Sequence, residues 1–313
     1  MPDSSLTMRD AFISELMQFA KDNKDILFIS NDFGAPSLDR FRKELSEQYI
    51  NAGISEQNML SAATGLAMSG KRVFIYSIAS FITTRSYEQM KLDICIHKVP
   101  VTFIAVGACY AYPQDGPTHH ATEDIAIMRA LSGMQVYSPS DAFSAQKLVT
   151  VSLGSEGPTY LRLDKGLWPH LERTDYSDAN GLSVLKEGSD VGIIATGIMC
   201  HRAMEVAEVL GKKGQSCRVI DLWKLKPLQT SALTSAISGL SMLVSLEEHC
   251  LNGGLGSLIA EFILDNDIPI RLKRIGIPDE KLYTYGIRQT LHSEIGLDVE
   301  SLVQTISSFM ETV

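Results

Sequence analysis

LDKGLWPHLERTDYSDANG, residues 163–181, interrupts an otherwise regular pattern and decides how the chain divides. It follows neither the two-residue nor the 3.6-residue period and gathers Pro, Gly, Asp and aromatic residues, as a connection does. Upstream of it, short β-branched runs recur between helical patterns: ILFIS (26–30), VFIY (73–76), VTFIAV (101–106), MQVYS (134–138) and TYLRL (159–163). Downstream, the alternation restarts with VGIIATG (191–197), SCRVIDL (216–222), SMLVSLEE (241–248) and IRLKRIG (270–276). Helical stretches are expected there at about 200–213, 229–238, 254–266 and 298–312. Such alternation predicts mostly parallel sheets with helices on both faces. The expectation is two α/β domains, 1–168 and 183–313, joined by a linker over 169–182.

Of 313 residues, 45% are hydrophobic and 21% charged, enough for two ordinary cores. Asp and Glu (37) outnumber Lys and Arg (28) for a formal charge of -9, with no basic block, which argues against nucleic acid and anionic membrane as partners. No run reaches the roughly 18 apolar residues of a membrane span, and MPDSSLTMRD lacks the regions of a secretory signal, so a cytoplasmic protein is expected. Five scattered cysteines without C-x-x-C spacing argue against a disulfide framework and a zinc site. No histidine pair has metal spacing, and neither G-x-G-x-x-G nor G-x-x-x-x-G-K-[ST] occurs. The glycine cluster in LNGGLGSLIAE (251–261) reads as a tight strand-to-helix turn.

In open parallel sheets ligands collect beyond the carboxyl ends of the strands. That directs attention to SNDFGAPS (30–37), NAGISEQN (51–58), YSIASFITTR (76–85) and GACYAYPQDGPTHHATED (107–124), all placed in the first domain. Within them Glu56 is a lone carboxylate at the start of an apolar helical run. Spacing alone accounts for it as a helix-start acid favoured by the macrodipole. Phe81 could equally be a core residue, His119-His120 an exposed turn, and Arg9 and Arg162 surface cations.

GISEQNM (53–59), YSIASFITTRSYEQ (76–89) and DGPTHHATEDIAIMR (115–129) together resemble the pyrimidine-binding domain of the transketolase family of thiamine diphosphate enzymes. GSDVGIIATG, VIDLWKLKPL and SLEEHCLNGGLGS resemble the C-terminal domain that follows it there. The upstream domain that holds the diphosphate and Mg²⁺ in the family has no counterpart in these residues. The resemblance therefore implies the C-terminal subunit of a split transketolase. Its partner would be a diphosphate-binding N-terminal subunit that ligates Mg²⁺, and the two would form an α2β2 assembly.

The resemblance also assigns roles. Glu56 would keep a proton, its pKa raised by apolar helix residues such as Met59, Leu60 and Ala63, and hydrogen-bond the cofactor's pyrimidine so that the ylid can form. Phe81 matches the stacking position, with Ile78 and Thr84 where relatives often carry further aromatics. Arg85 and Tyr76 resemble residues flanking the pocket in the deoxyxylulose-phosphate synthase branch, and Asp32 is grouped with the cofactor contacts. Asp115 and His119 of the DGPTH turn would contact the sugar, with His120 standing where glutamine is common. Arg162, Arg9 and Ser37 would meet the anionic end of a substrate. Gly107 occupies the place, eight residues before Asp115, where sugar-phosphate transketolases usually carry a histidine, so the usual pentose phosphates are in doubt. The expected activity is transfer of a two-carbon ketol unit from an anionic ketose to an aldose. The alternatives are a deoxyxylulose-phosphate synthase-like or 2-oxo-acid dehydrogenase beta-like subunit, and a non-catalytic scaffold.

Overall fold

The computed structural model describes residues 6–32, 34–173, 175–279 and 285–311. Residues 1–5 of the N-terminal stretch, 174 of the expected linker and 312 of the last expected helix lie outside them. The chain packs as two compact units, one of residues 1–108 with 127–170, the other of 109–126 with 171–313.

The first unit contains β1 (Ile26–Ser30), β2 (Tyr49–Asn51), β3 (Arg72–Ile78), β4 (Val101–Val106), β5 (Gln135–Tyr137) and β6 (Thr159–Leu163). They lie in the order β5-β6-β4-β3-β1-β2, and all these pairings are parallel. β1, β4 and β6 are buried along their whole length, as expected of strands covered on both faces. Three helices set the carboxyl edge of this sheet. α1 (Met8–Asp22) starts at Thr7, whose hydroxyl accepts from Asp10 N at 3.1 Å. α2 (Pro36–Glu44) starts with Pro at its first position. α3 (Glu56–Met68) follows β2 after a four-residue turn in which Gly53 takes φ +68°.

After β3 the chain runs into a helix whose turns Phe81–Arg85 and Met90–Cys95 are π-helical. The sequence supplies hydroxyls suited to such wide turns. Thr83, Thr84 and Ser86 donate to the carbonyls of Ala79, Ser80 and Ile82 at 2.7, 2.6 and 2.6 Å.

The second unit contains β7 (Leu182–Lys186), β8 (Val191–Ala195), β9 (Cys217–Leu222), β10 (Lys224–Lys226), β11 (Met242–Cys250) and β12 (Arg271–Ile277). Five of them form a sheet in the order β12-β11-β8-β9-β7, parallel except for β7 on β9. Of the expected linker, Leu182 already belongs to β7, and the described residues between it and β6 hold no helix or strand, yet from Leu171 onward they are tied to this unit. Arg173 pairs with Asp221 at 2.9 Å, and both side chains are buried. Tyr176 stacks on Trp223 with centroids 4.4 Å apart.

One placement differs from the sequence reading. The segment Cys109–Ala126, assigned there to the first domain, packs with the second unit. Cys109 and Tyr110 lie in its core with Val191, Ile193 and Leu246, and Cys250 N donates to Thr122 O at 2.8 Å. Burial of two side chains in that core outweighs sequence proximity to β4.

All five cysteines are buried. Among the described residues no helix is long and apolar enough to cross a membrane, and no cluster of three His, Cys, Asp or Glu is placed to hold a metal ion.

Candidate active site

Glu56 is the first residue of α3 and is 2% exposed. Both its oxygens accept from Nη1 of Arg85 at 2.9 Å. Arg85, whose side chain is 49% exposed, also lies over the Phe81 ring, 4.9 Å from its centroid. Glu56 is thus joined to two residues from a turn 25 to 29 positions later, beyond the carboxyl ends of β2 and β3. The wide helical turn sets Phe81 and Arg85 on one face. Met59, Leu60 and Ala63, named in the sequence reading of Glu56, are buried with it on α3, and Arg85 joins them as its charged partner. Ile78, at the end of β3, is half-buried, whereas Thr84 is exposed and spends its hydroxyl on Ser80 O.

A second group gathers at the same sheet edge. Arg9 donates to Asp10 through Nε at 3.2 Å and Nη2 at 2.9 Å, and Ser37 Oγ donates to Asp10 Oδ1 at 2.5 Å. Burial disfavours a charged Asp10, but hydrogen bonds from Arg9, Ser37 and Thr7 outweigh it and hold the acid below its usual range. Tyr76 is buried beside Arg9. Burial raises the phenol's pKa, and the Arg9 guanidinium offsets part of that rise. The sequence singles out Arg9, Ser37 and Tyr76 separately but passes over Asp10, which joins them. The signal for Asp10 is T-x-x-D over Thr7–Asp10, a capping pattern that says nothing of Ser37.

Asp32 is exposed and accepts from Asn51 Nδ2 at 3.3 Å. Arg162 lies on β6 opposite Ala105 and is 4% exposed, so it is no surface cation. Gly107, just past β4, takes φ +99° and donates to Leu163 O at 2.9 Å. A histidine would be strained there, which gives a backbone reason for the glycine.

In the second unit Asp115 is exposed and Gly116–Thr118 form a single tight turn. His119 Nδ1 is 2.9 Å from Thr118 Oγ1, and its ring lies 5.8 Å from that of Tyr112. His120 differs from its neighbour: it is 4% exposed, packed edge-on to Tyr110 at 4.8 Å, and burial lowers its pKa. The exposed-turn reading of His119-His120 therefore does not hold for His120.

The glycine turn after β11 is filled from within. Glu247 accepts from Leu255 N at 2.6 Å and Gly256 N at 2.7 Å, the first turn of helix Leu255–Asp265. The place where a phosphate would sit at a helix N-terminus holds a carboxylate of the chain itself.

These features invite comparison with known proteins. Residues 4–170 match the family described as "Transketolase, pyrimidine binding domain", and residues 181–302 match "Transketolase, C-terminal domain". The chain belongs to the transketolase family. That family depends on thiamine diphosphate. This transketolase-family enzyme subunit is 33% identical to an apulose-4-phosphate transketolase subunit of Phocaeicola vulgatus, covering 99% of the chain and 100% of that protein. It is 32% identical to "1-deoxy-D-xylulose-5-phosphate synthase" of Crocosphaera subtropica over 86% of the chain, but only 43% of that longer protein. A solved structure described as "Split gene transketolase, inactive beta4 tetramer" superposes with a TM-score of 0.89 at 32% identity, covering 98% of this chain and 99% of that one.

Proposed function

We propose that this chain is the pyrimidine-binding subunit of a heteromeric transketolase that moves a two-carbon ketol unit from a phosphorylated ketose to an aldose. The observation that carries the reading is that Glu56 and Phe81 are both reached by the one side chain of Arg85. A buried carboxyl group for a ring nitrogen, beside a partly exposed aromatic ring for a ring face, is a set that fits a flat aminopyrimidine. Thiamine diphosphate would supply the electron sink for breaking and making the carbon–carbon bond.

Glu56 would hydrogen-bond the pyrimidine nitrogen and Phe81 would stack on its face, with Ile78, Thr84 and Asp32 around them. Asp115, His119 and His120 would recognise sugar hydroxyls. Arg9, held by Asp10 beside Ser37, and Arg162 would meet the substrate's anionic end. The name of the Phocaeicola vulgatus relative, with its 4-phosphate, supports a phosphorylated substrate. The diphosphate and Mg²⁺ would be held by a partner chain in an α2β2 cytoplasmic complex. That the same relative is named as one subunit of its enzyme supports such a partnership.

Co-purification with the diphosphate-binding partner, followed by assay of ketol transfer between sugar phosphates, tests the reading. Glu56→Gln is expected to lower turnover at least a hundredfold, on the order of 10² or more, in the intact complex. Unchanged turnover would favour a scaffold. The synthase relative favours one second reading, in which pyruvate is decarboxylated and condensed with an aldose phosphate. Carbon dioxide release from pyruvate without a ketose donor would select it.

A further inference from the structure

We propose that Arg85 is a placeholder that covers the pyrimidine seat and must leave before a ring can enter; this rests on the reading of Glu56 and Phe81 as that seat. The guanidinium is planar and offers N–H groups at its edge, as an aminopyrimidine does. It takes both places such a ring would take, donating to Glu56 at 2.9 Å, where a ring nitrogen would instead accept, and lying 4.9 Å from the Phe81 centroid. Its place on the seat excludes a second flat group from the same carboxylate and ring face.

The asymmetry of the pair says which partner moves. Glu56 is 2% exposed and fixed at the first turn of α3, whereas the Arg85 side chain is 49% exposed. One nitrogen, Nη1, serves both carboxylate oxygens, rather than the two-nitrogen fork that makes Arg–carboxylate pairs strong. A buried carboxylate stripped of its counter-ion is costly, so the seat gains from being covered while no ligand is present. A half-exposed arginine supplies that cover, and its own head group regains water when it swings out, so the cost of release falls on Glu56 until a ring replaces it.

The exchange also changes what Glu56 can do. Paired with Arg85 it is an acceptor on both oxygens, whereas a hydrogen bond donated to a ring nitrogen needs a carboxylic acid. Seating of the ring therefore requires both that Arg85 leave and that the Glu56 carboxylate take up one proton from solvent. Arg85 is a positioning residue here and not a cofactor contact.

The test titrates free thiamine, which carries the pyrimidine without the diphosphate, into the full chain by calorimetry. Wild type, Arg85→Gln and Arg85→Lys are compared, with circular dichroism to establish folding. Arg85→Gln is expected to bind about tenfold tighter than wild type, the worth of one exposed ion pair and one cation–π contact. Arg85→Lys should fall between, and millimolar methylguanidinium should weaken thiamine binding to Arg85→Gln far more than to wild type. Weaker binding by Arg85→Gln would overturn the placeholder and make Arg85 a ligand contact. Absence of binding by both would overturn it too, since removing the plug would not have opened the seat. Tight binding by Arg85→Gln that survives further Glu56→Gln and Phe81→Ala changes would instead defeat the seat itself.

Discussion

Glu247 and Gly254 are fitted to each other across the turn after β11. The carboxylate accepts from Leu255 N and Gly256 N, and a Cβ at position 254 would collide with Oε2 of Glu247. An acid buried at the end of a strand and a residue without a side chain thus close the start of helix Leu255–Asp265 together.

Glu247→Ala leaves two buried N–H groups without an acceptor and is expected to cost about 2 kcal/mol in urea unfolding. Glu247→Gln, which keeps one acceptor oxygen, should cost less. Gly254→Ala should destabilise by a similar amount through displacement of the carboxylate. A Glu247→Ala protein as stable as wild type would show that water satisfies the helix start equally well.

The adjacent Glu248 makes a pH prediction. Burial would raise its pKa, but Arg288, whose Nε lies 2.8 Å from Oε1, and His292 at 2.5 Å hold it down to about 2. A folded value below the ordinary 4.5 means stability that is present above pH 4.5 and lost as pH falls through the folded value near 2. The loss across that window is roughly 3 kcal/mol. Arg288→Met strands a buried carboxylate and should cost about 3 kcal/mol at neutral pH while flattening the acid-side decline. Urea titrations at a series of pH values check both, and an unaltered acid decline in the variant would remove Glu248 as its source.

How much was legible beforehand follows from burial and distance. The runs at β1, β4 and β6 match their strands to the residue because strands buried on both faces read as continuous apolar segments. β2 and β7 lie at sheet edges, where YIN and LSVLK carry no such signal. Glu56, Phe81 and Arg85 can each be picked out, but the ion pair spans 29 residues and depends on a π-helical turn that no period announces. Asp10 is visible only as a possible cap, since its bond to Ser37 crosses 27 residues and exists only once α1 and α2 meet. The packing of Cys109–Ala126 with the second unit is hidden because local sequence does not say which core a loop's aromatic residue will enter.

At Gly107 the expected cost is backbone strain. Position 107 holds φ +99°, so Gly107→Ala and Gly107→His should each destabilise the chain by about 1–3 kcal/mol in chemical denaturation. Similar losses for the small and the large side chain would locate the cost in the backbone. If Ala is tolerated and His is not, crowding rather than conformation explains the glycine.

Asp10 separates positioning from chemistry. Asp10→Asn keeps the shape but removes the charge that fixes Arg9 beside Ser37, so Arg9 loses its preferred orientation. The acid's depressed folded pKa means its contribution to stability is present above the ordinary 3.8 and lost as pH falls below that. Asp10→Asn should therefore be slightly less stable than wild type at neutral pH and closer to it in acid. In the assembled enzyme, if Arg9 meets the substrate's anionic end equally in ground and transition states, KM for a phosphorylated sugar should rise about tenfold with kcat little changed. The same variant should discriminate less between a sugar phosphate and its unphosphorylated form. A fall in kcat at constant KM would place Arg9 and Asp10 at the reacting carbons instead of at the anionic end.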